Sequence, residues 1–158
     1  MALKKNIKLL ILDVDGTMTD GGVYVTEEGT QFKKFNAQDG LGVRLAIKAG
    51  IEVGIISHSF ISEMVSVRAK SLGIKYLYVG QKEKLEVLKE WMIELNLEFE
   101  SIAFIGDDIN DLEIMSHVGF SACPDNAVEK VKKKADVILS RKGGDAAVRE
   151  FIDRFILD

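Results

Sequence analysis

The chain has 158 residues, 47% of them hydrophobic and 29% charged, with a single proline. That suits one compact domain spanning residues 1–158 and leaves little room for a disordered arm or a second independent core. The formal net charge of −4 excludes broad nucleic-acid binding, which needs a basic surface, and the single cysteine, Cys123, excludes an intrachain disulfide. A reducing cytoplasm is the expected compartment.

In chain order, Met1 to Asn6 leads into the aliphatic run Ile7 to Leu12, which ends at Asp13. This run is too short for a signal sequence or a membrane span, so no membrane partner is expected. A continuous aliphatic stretch ending in acids and a glycine reads as a buried parallel strand with functional groups at its carboxyl end. Next, Val23 to Thr26 and Gln31 to Phe35 flank Glu27-Glu28-Gly29-Thr30, which predicts a β-hairpin over about 22–36. A lone two-stranded ribbon is marginally stable in water, so the hairpin is expected to pack on something, and a subunit contact is the candidate.

Helical spacing then alternates with short aliphatic runs. Leu41, Leu45 and Ala49 mark one helix, Met64, Val65 and Ala69 a second, and Leu85, Leu88, Trp91, Met92 and Leu95 a third. Strands are expected at Val53–Ile56, Tyr76–Val79, Ile102–Ile105 and Val137–Leu139, with Gly119–Cys123 a weaker sixth beside the first. Trp91 at this spacing reads as core. Pro124-Asp125-Asn126 reads as a turn and helix cap before Ala127 to Lys134, whose lysines suit a helix carboxyl end. The alternation predicts an α/β fold, a Rossmann-like open parallel sheet with helices on both faces, and ligands outside the carboxyl ends of the strands.

The chemistry-bearing residues fall at those ends. Asp13-Val14-Asp15-Gly16-Thr17 follows the first strand, and alternation puts both carboxylates on one side. Two converging acids repel unless a cation lies between them, and Mg²⁺ is the usual one for phosphate chemistry. A second cluster, Gly106-Asp107-Asp108-Ile109-Asn110-Asp111, closes another strand. Ser57 ends the strand Gly54-Ile55-Ile56, and Lys84 opens the helix after Tyr76–Gly80, so a hydroxyl and an ammonium reach the same edge. Alone, Ser57 or Asp107 could cap a helix and Lys84 could be solvated; together they supply what phosphoryl transfer requires.

Asp-Val-Asp-Gly-Thr, a strand-end Ser, a Lys and Gly-Asp-Asp-Ile-Asn-Asp, in that order, resemble the motifs of haloacid dehalogenase superfamily phosphatases. The resemblance implies an aspartyl phosphate on Asp13, with Asp15 as general acid and then base. It implies that Ser57 and Lys84 bind the transferring phosphoryl group. Mg²⁺ would be held by Asp13, the Asp15 main-chain carbonyl and Asp107, with Asp108 and Asp111 behind them. The longer match, through Lys33 to Ile51, Val79 to Leu85 and Ile138 to Phe151, is similar to the capless subgroup that hydrolyses sugar-acid phosphates such as 3-deoxy-octulosonate 8-phosphate. Members of that subgroup carry such a hairpin and form tetramers, so a homotetramer is implied.

The chain departs from the subgroup where substrate is chosen. Ser57-His58-Ser59-Phe60-Ile61 replaces a Ser-Gly-Arg-Asp stretch, and Ser66-Val67-Arg68 keeps one arginine of three. His58, Ser59, Arg68 and Lys33 are the candidate substrate contacts, Arg68 for its match to a carboxylate. Lys33 and Lys34 can equally be solvated lysines guarding a strand edge. A nonulosonate 9-phosphate or a range of sugar phosphates are alternative substrates. A receiver-type signalling domain joins similar groups in a different strand order, and a silent scaffold would not need all the motifs intact.

Overall fold

In a computed structural model, which describes residues 6–158, the elements follow the alternation the sequence prescribes. Met1 to Lys5, most of the segment read as a lead-in, lie outside the described residues. The first strand, β1 (Leu9–Leu12), is followed by a two-stranded hairpin, β2 (Tyr24–Val25) and β3 (Gln31–Phe32). Helix α1 (Ala37–Lys48), β4 (Glu52–His58), α2 (Glu63–Leu72), β5 (Tyr76–Gly80) and α3 (Lys84–Leu95) come next. Then come β6 (Ile102–Ile105), α4 (Leu112–His117), β7 (Phe120–Cys123), α5 (Glu129–Lys134), β8 (Val137–Ile138) and α6 (Ala147–Ile152), with 3-10 turns at Phe99–Ser101 and Ile109–Asp111 and a π-helical turn at Asp153–Leu157.

The main sheet has the order β5-β4-β1-β6-β7-β8 and all its pairings are parallel. β1 lies in the middle because it carries no polar side chain to place in water: all of its residues are fully buried. Alternation divides those residues between two cores. Leu10 and Leu12 join α1, α2 and α6 on one face; Leu9 and Ile11 join α3, α4 and α5 on the other. A fully buried side chain of this kind, such as Phe104, contributes ~1.5–3 kcal/mol through removal of apolar surface from water.

Local signals set where elements start and stop. The Asn36 side chain accepts from the amides of Gln38 and Asp39 and so caps α1, while α2 ends at Gly73 in the left-handed region, φ 78°. Trp91 packs edge-on to Tyr76, 5.5 Å between ring centroids, as a core residue. Chain order reverses at β1, whose neighbours are β4 on one side and β6 on the other, so a crevice opens beyond its carboxyl end.

Apart from strand ends shifted by a residue or two at β1, β7 and β8, the structure differs from the expected elements in three places. The hairpin strands are two residues each, shorter than the β-prone runs, because no further strand extends them. β4 runs on to His58, paired with Gly80, so this histidine belongs to a strand end. Helix α5 starts at Glu129 behind Val128, so Asn126 does not cap it; the Asn126 amide bonds elsewhere.

Candidate active site

Asp13 leaves β1 with its amide bonded to the Ile105 carbonyl of β6, 3.0 Å, and its side chain is buried at 6% exposure. Lys84, at the first position of α3, comes from the opposite side of the crevice. Its Nζ donates to Asp13 Oδ1 and to Asp111 Oδ1, each at 2.7 Å. The lysine stem is as buried as any core residue and its ammonium lies 5.9 Å from the Phe104 ring centre. Burial alone would pull the ammonium down, but the Asp13 and Asp111 charges more than offset it and Lys84 titrates above its ordinary value.

Asp111 spends both its oxygens. Oδ1 takes Lys84 and Oδ2 accepts from the amides of Asp107 and Asp108, at 2.9 and 3.2 Å. Asp108 is exposed and accepts from the Ile109 amide at 2.7 Å, closing a capping box with Asp111. These bonds fix the loop after β6 so that Asp107 points back toward Asp13. Carboxylate oxygens of Asp13, Asp107 and Asp111 all fall within 4.8 Å of one another.

Asp107 carries the strain of that gathering. One of its oxygens is buried with no hydrogen-bond partner, and desolvation, followed by the Asp13 bond and charge, raises its carboxyl to about 9. Asp111 rises to about 6, first through burial and then through Asp13, with Lys84 opposing. Hard oxygen donors crowded around an unpartnered buried oxygen are what a divalent cation such as Mg²⁺ would satisfy. The donor set therefore fits Mg²⁺, with Asp13 and Asp107 supplying free oxygens and Asp111 already committed to Lys84 and two amides.

Gly16 turns the loop after β1 at φ 83°, and a side chain there would run into the Asp107 carboxylate. Thr19 ties the loop: its hydroxyl accepts from the amides of Gly16 and Gly21, at 3.3 and 3.2 Å. Asp15 stands on the loop between, and Lys33 Nζ from the hairpin donates to its Oδ1 at 2.6 Å. Ser57, 1% exposed, sits one place before the end of β4 beside β1.

The remaining candidates meet partners within the chain. The His58 ring bonds the Lys82 carbonyl at 2.7 Å through Nε2 and the Asn110 amide at 3.5 Å through Nδ1. Ser59 bonds both backbone groups of Ile61, which shapes the turn after β4. Arg68 lies under Phe35, its guanidinium 5.6 Å from the ring centre, and donates to the Asn36 carbonyl at 3.4 Å. The Lys33 side chain, which sequence alone allowed to be a solvated edge lysine's, is 4% exposed.

Two contributors escaped the sequence reading. Asn126 donates to the Gly16 carbonyl at 2.9 Å and accepts from the Gly143 amide at 2.6 Å, so it staples the loop after β1 to the loop before α6. Thr19 also went unassigned. Both act on backbone groups far away in sequence or within a loop, and no periodicity announces that.

The chain matches a model of the haloacid dehalogenase-like hydrolases over residues 53–152. It is 41% identical over 152 residues to 3-deoxy-D-manno-octulosonate 8-phosphate phosphatase KdsC of Yersinia pestis, covering 96% of this chain and 81% of that protein. It belongs to the haloacid dehalogenase-like hydrolases. Another relative, KdsC of Escherichia coli strain K12, is 39% identical over 157 residues, 99% of this chain and 83% of the relative. The crystal structure of the Yersinia pestis phosphatase superposes with a TM-score of 0.94 at 40% identity, covering 98% of this chain and 83% of that one. A Moraxella catarrhalis 3-deoxy-D-manno-octulosonate 8-phosphate phosphatase, solved with magnesium, phosphate and KDO, superposes at 0.90 and 40% identity, covering 95% and 86%. Like its relatives, this haloacid dehalogenase-like hydrolase is a phosphoric monoester hydrolase.

Proposed function

We propose that the chain hydrolyses the phosphate monoester of a sugar acid, 3-deoxy-D-manno-octulosonate 8-phosphate, as a single cytoplasmic domain that assembles into a homotetramer. The observation that carries the chemistry is the buried Lys84 bridging Asp13 and Asp111 beside the unpartnered Asp107 oxygen. The substrate rests on relatives of that name, about equally similar along nearly the whole chain.

Asp13 is the nucleophile. A carboxylate oxygen attacks phosphorus, the ester P–O bond breaks, and the leaving sugar oxygen takes a proton from Asp15. In the second half Asp15 accepts a proton from water, which attacks the phosphorus of the aspartyl phosphate and releases Asp13. Lys84 and Ser57 hold the phosphoryl oxygens, the lysine by charge and the serine by its hydroxyl. Asp13, the Asp15 main-chain carbonyl and Asp107 would hold Mg²⁺, with Asp111 and Asp108 fixing the loop that carries Asp107. When bound, that cation would neutralise charge on the transferring oxygens.

Substrate choice belongs to the crevice mouth, where His58 and Ser59 differ from the subgroup pattern and Arg68 is the one arginine kept of three. His58 is engaged by Lys82, Ser59 by Ile61, and the Arg68 guanidinium by the Asn36 carbonyl, which favours turnover of several sugar phosphates as a second reading.

Phosphate release is measured from 3-deoxy-octulosonate 8-phosphate, nonulosonate 9-phosphates and hexose phosphates, with and without Mg²⁺. Strong preference for the octulosonate is expected, and weak turnover spread over the panel would replace it with the second reading. Asp13→Asn is expected to remove turnover by roughly 10⁴-fold or more without unfolding the protein. Retained activity in that variant would sink the mechanism.

A further inference from the structure

The hairpin lies outside the main sheet, yet it carries one of the most deeply buried cations in the chain. Lys33 directly follows β3, and alternation along that strand sends Phe32 outward and Lys33 inward. Phe32 is 52% exposed and stacks on Tyr24, ring centroids 4.8 Å apart; Lys34 is exposed. The Lys33 side chain is 4% exposed and ends on Asp15 Oδ1 at 2.6 Å. A lysine whose task was solubility would keep its ammonium in water, where hydration costs nothing to retain. Buried this far, the ammonium is compensated by one carboxylate, and among the described residues no other group hydrogen-bonds that carboxylate.

We infer that Lys33 is a positioning residue: it holds one oxygen of Asp15 so that the other faces the leaving oxygen of the substrate. This rests on the reading of Asp15 as the proton donor. A general acid works within about 2.6–3.2 Å of the atom it protonates, and a carboxylate free to rotate about its side-chain bonds spends little time there. Lys33 pins it through a segment that lies outside the main sheet. The bond also gives the hairpin a role in the chemistry without any contact between the hairpin and the phosphoryl group.

The test separates proton donation from everything else the site does. Cleavage of 3-deoxy-octulosonate 8-phosphate expels a primary alkoxide, which needs a proton as the P–O bond breaks. Cleavage of p-nitrophenyl phosphate expels a phenolate stable enough to leave without one. With a covalent intermediate, kcat/KM reports steps only up to departure of the first product, so later hydrolysis of the aspartyl phosphate does not enter. Lys33→Met is expected to lower kcat/KM for the sugar phosphate roughly 10- to 100-fold, mostly through kcat, and that for p-nitrophenyl phosphate by no more than about threefold. Lys33→Arg should recover part of the sugar-phosphate rate, and Lys34→Met should change neither.

Equal losses on both substrates would overturn the inference, since a loosened fold or a damaged phosphoryl site affects both. So would a rise in KM for the sugar phosphate with kcat untouched, which would make Lys33 a substrate contact. Should Lys33→Met melt below the assay temperature, the Arg variant alone decides: a ratio between the two substrates unchanged from wild type overturns the proposal. Wild-type protein inert toward both substrates would instead overturn the phosphatase reading itself.

Discussion

Asp107 is where a single side chain meets the largest electrostatic demand. Burial together with the nearby Asp13 keeps its carboxyl protonated up to about 9, so at neutral pH a cation must displace a proton to reach it. The sign follows: falling pH favours the proton, and apparent Mg²⁺ affinity should weaken as pH drops from about 9 toward 6. Calorimetric titration of Mg²⁺ in two buffers of different ionisation enthalpy should show close to one proton released per cation near neutrality. No dependence on buffer would mean Asp107 is already ionised. Much of this residue-scale chemistry was legible beforehand. Asp13, Ser57, Lys84 and Asp107 stand at strand ends, and hydrophobic runs mark strand ends well. What stayed hidden were links such as Lys33 to Asp15 and Asn126 to Gly16, because 18 and 110 residues separate their partners and neither segment has a pattern that points at the other.

Among the elements, the hairpin shows how far pattern reading extends. Turn chemistry at Glu28-Gly29-Thr30 located it, and the left-handed Gly29, φ 83°, makes the bend. Strand length was beyond that reading, since pairing stops where no neighbour supplies further hydrogen bonds. The hairpin exposes Val23, Tyr24, Val25 and Phe32, between 46 and 61% each, with Tyr24 and Phe32 stacked side by side. Exposed apolar side chains on a marginal ribbon call for a partner surface, and a second copy of the chain is the one implied by the capless subgroup. Light scattering on the intact protein should report four chains. The double variant Tyr24→Ser with Phe32→Ser should lower the mass while leaving the circular dichroism of the sheet and helices unchanged. An intact protein that runs as a monomer would remove the assembly from the proposal.

At the scale of the whole molecule, a parallel sheet covered on both faces, with its functional groups beyond the strand carboxyl ends, follows from hydrophobic periodicity, whereas the strand order that puts β1 in the middle does not. Nor does the docking of the last helix. Asp39, 2% exposed in α1, accepts from the Arg149 amide at 2.8 Å and so receives the start of α6, while its second oxygen is buried without a partner. Burial raises this acid from 3.8 to about 6, with the Arg149 amide and the charges of Arg68 and Arg149 opposing. The folded state therefore holds a proton that the unfolded chain gives up, and stability declines as pH climbs through that window, by at most ~3 kcal/mol. Asp39→Asn keeps the shape and the acceptor but cannot ionise. Its melting temperature relative to wild type should rise between about pH 4 and pH 7 and then level off. A constant difference across that range would show that Asp39 titrates normally.

The loop before α6 carries one more consequence. Gly143 lies so close to the Gly16 carbonyl that any side chain would collide with it, and Gly144 lies against the backbone of Asp20 and Thr19. Asn126 and Asn36 bind the same loop, at the Gly143 amide and the Gly144 carbonyl. The loop behind the nucleophile is thus closed by contacts between segments 110 residues apart. Such a loop cannot settle by local folding: it takes its shape only when both segments dock, so changes near α6 should be felt at Asp13.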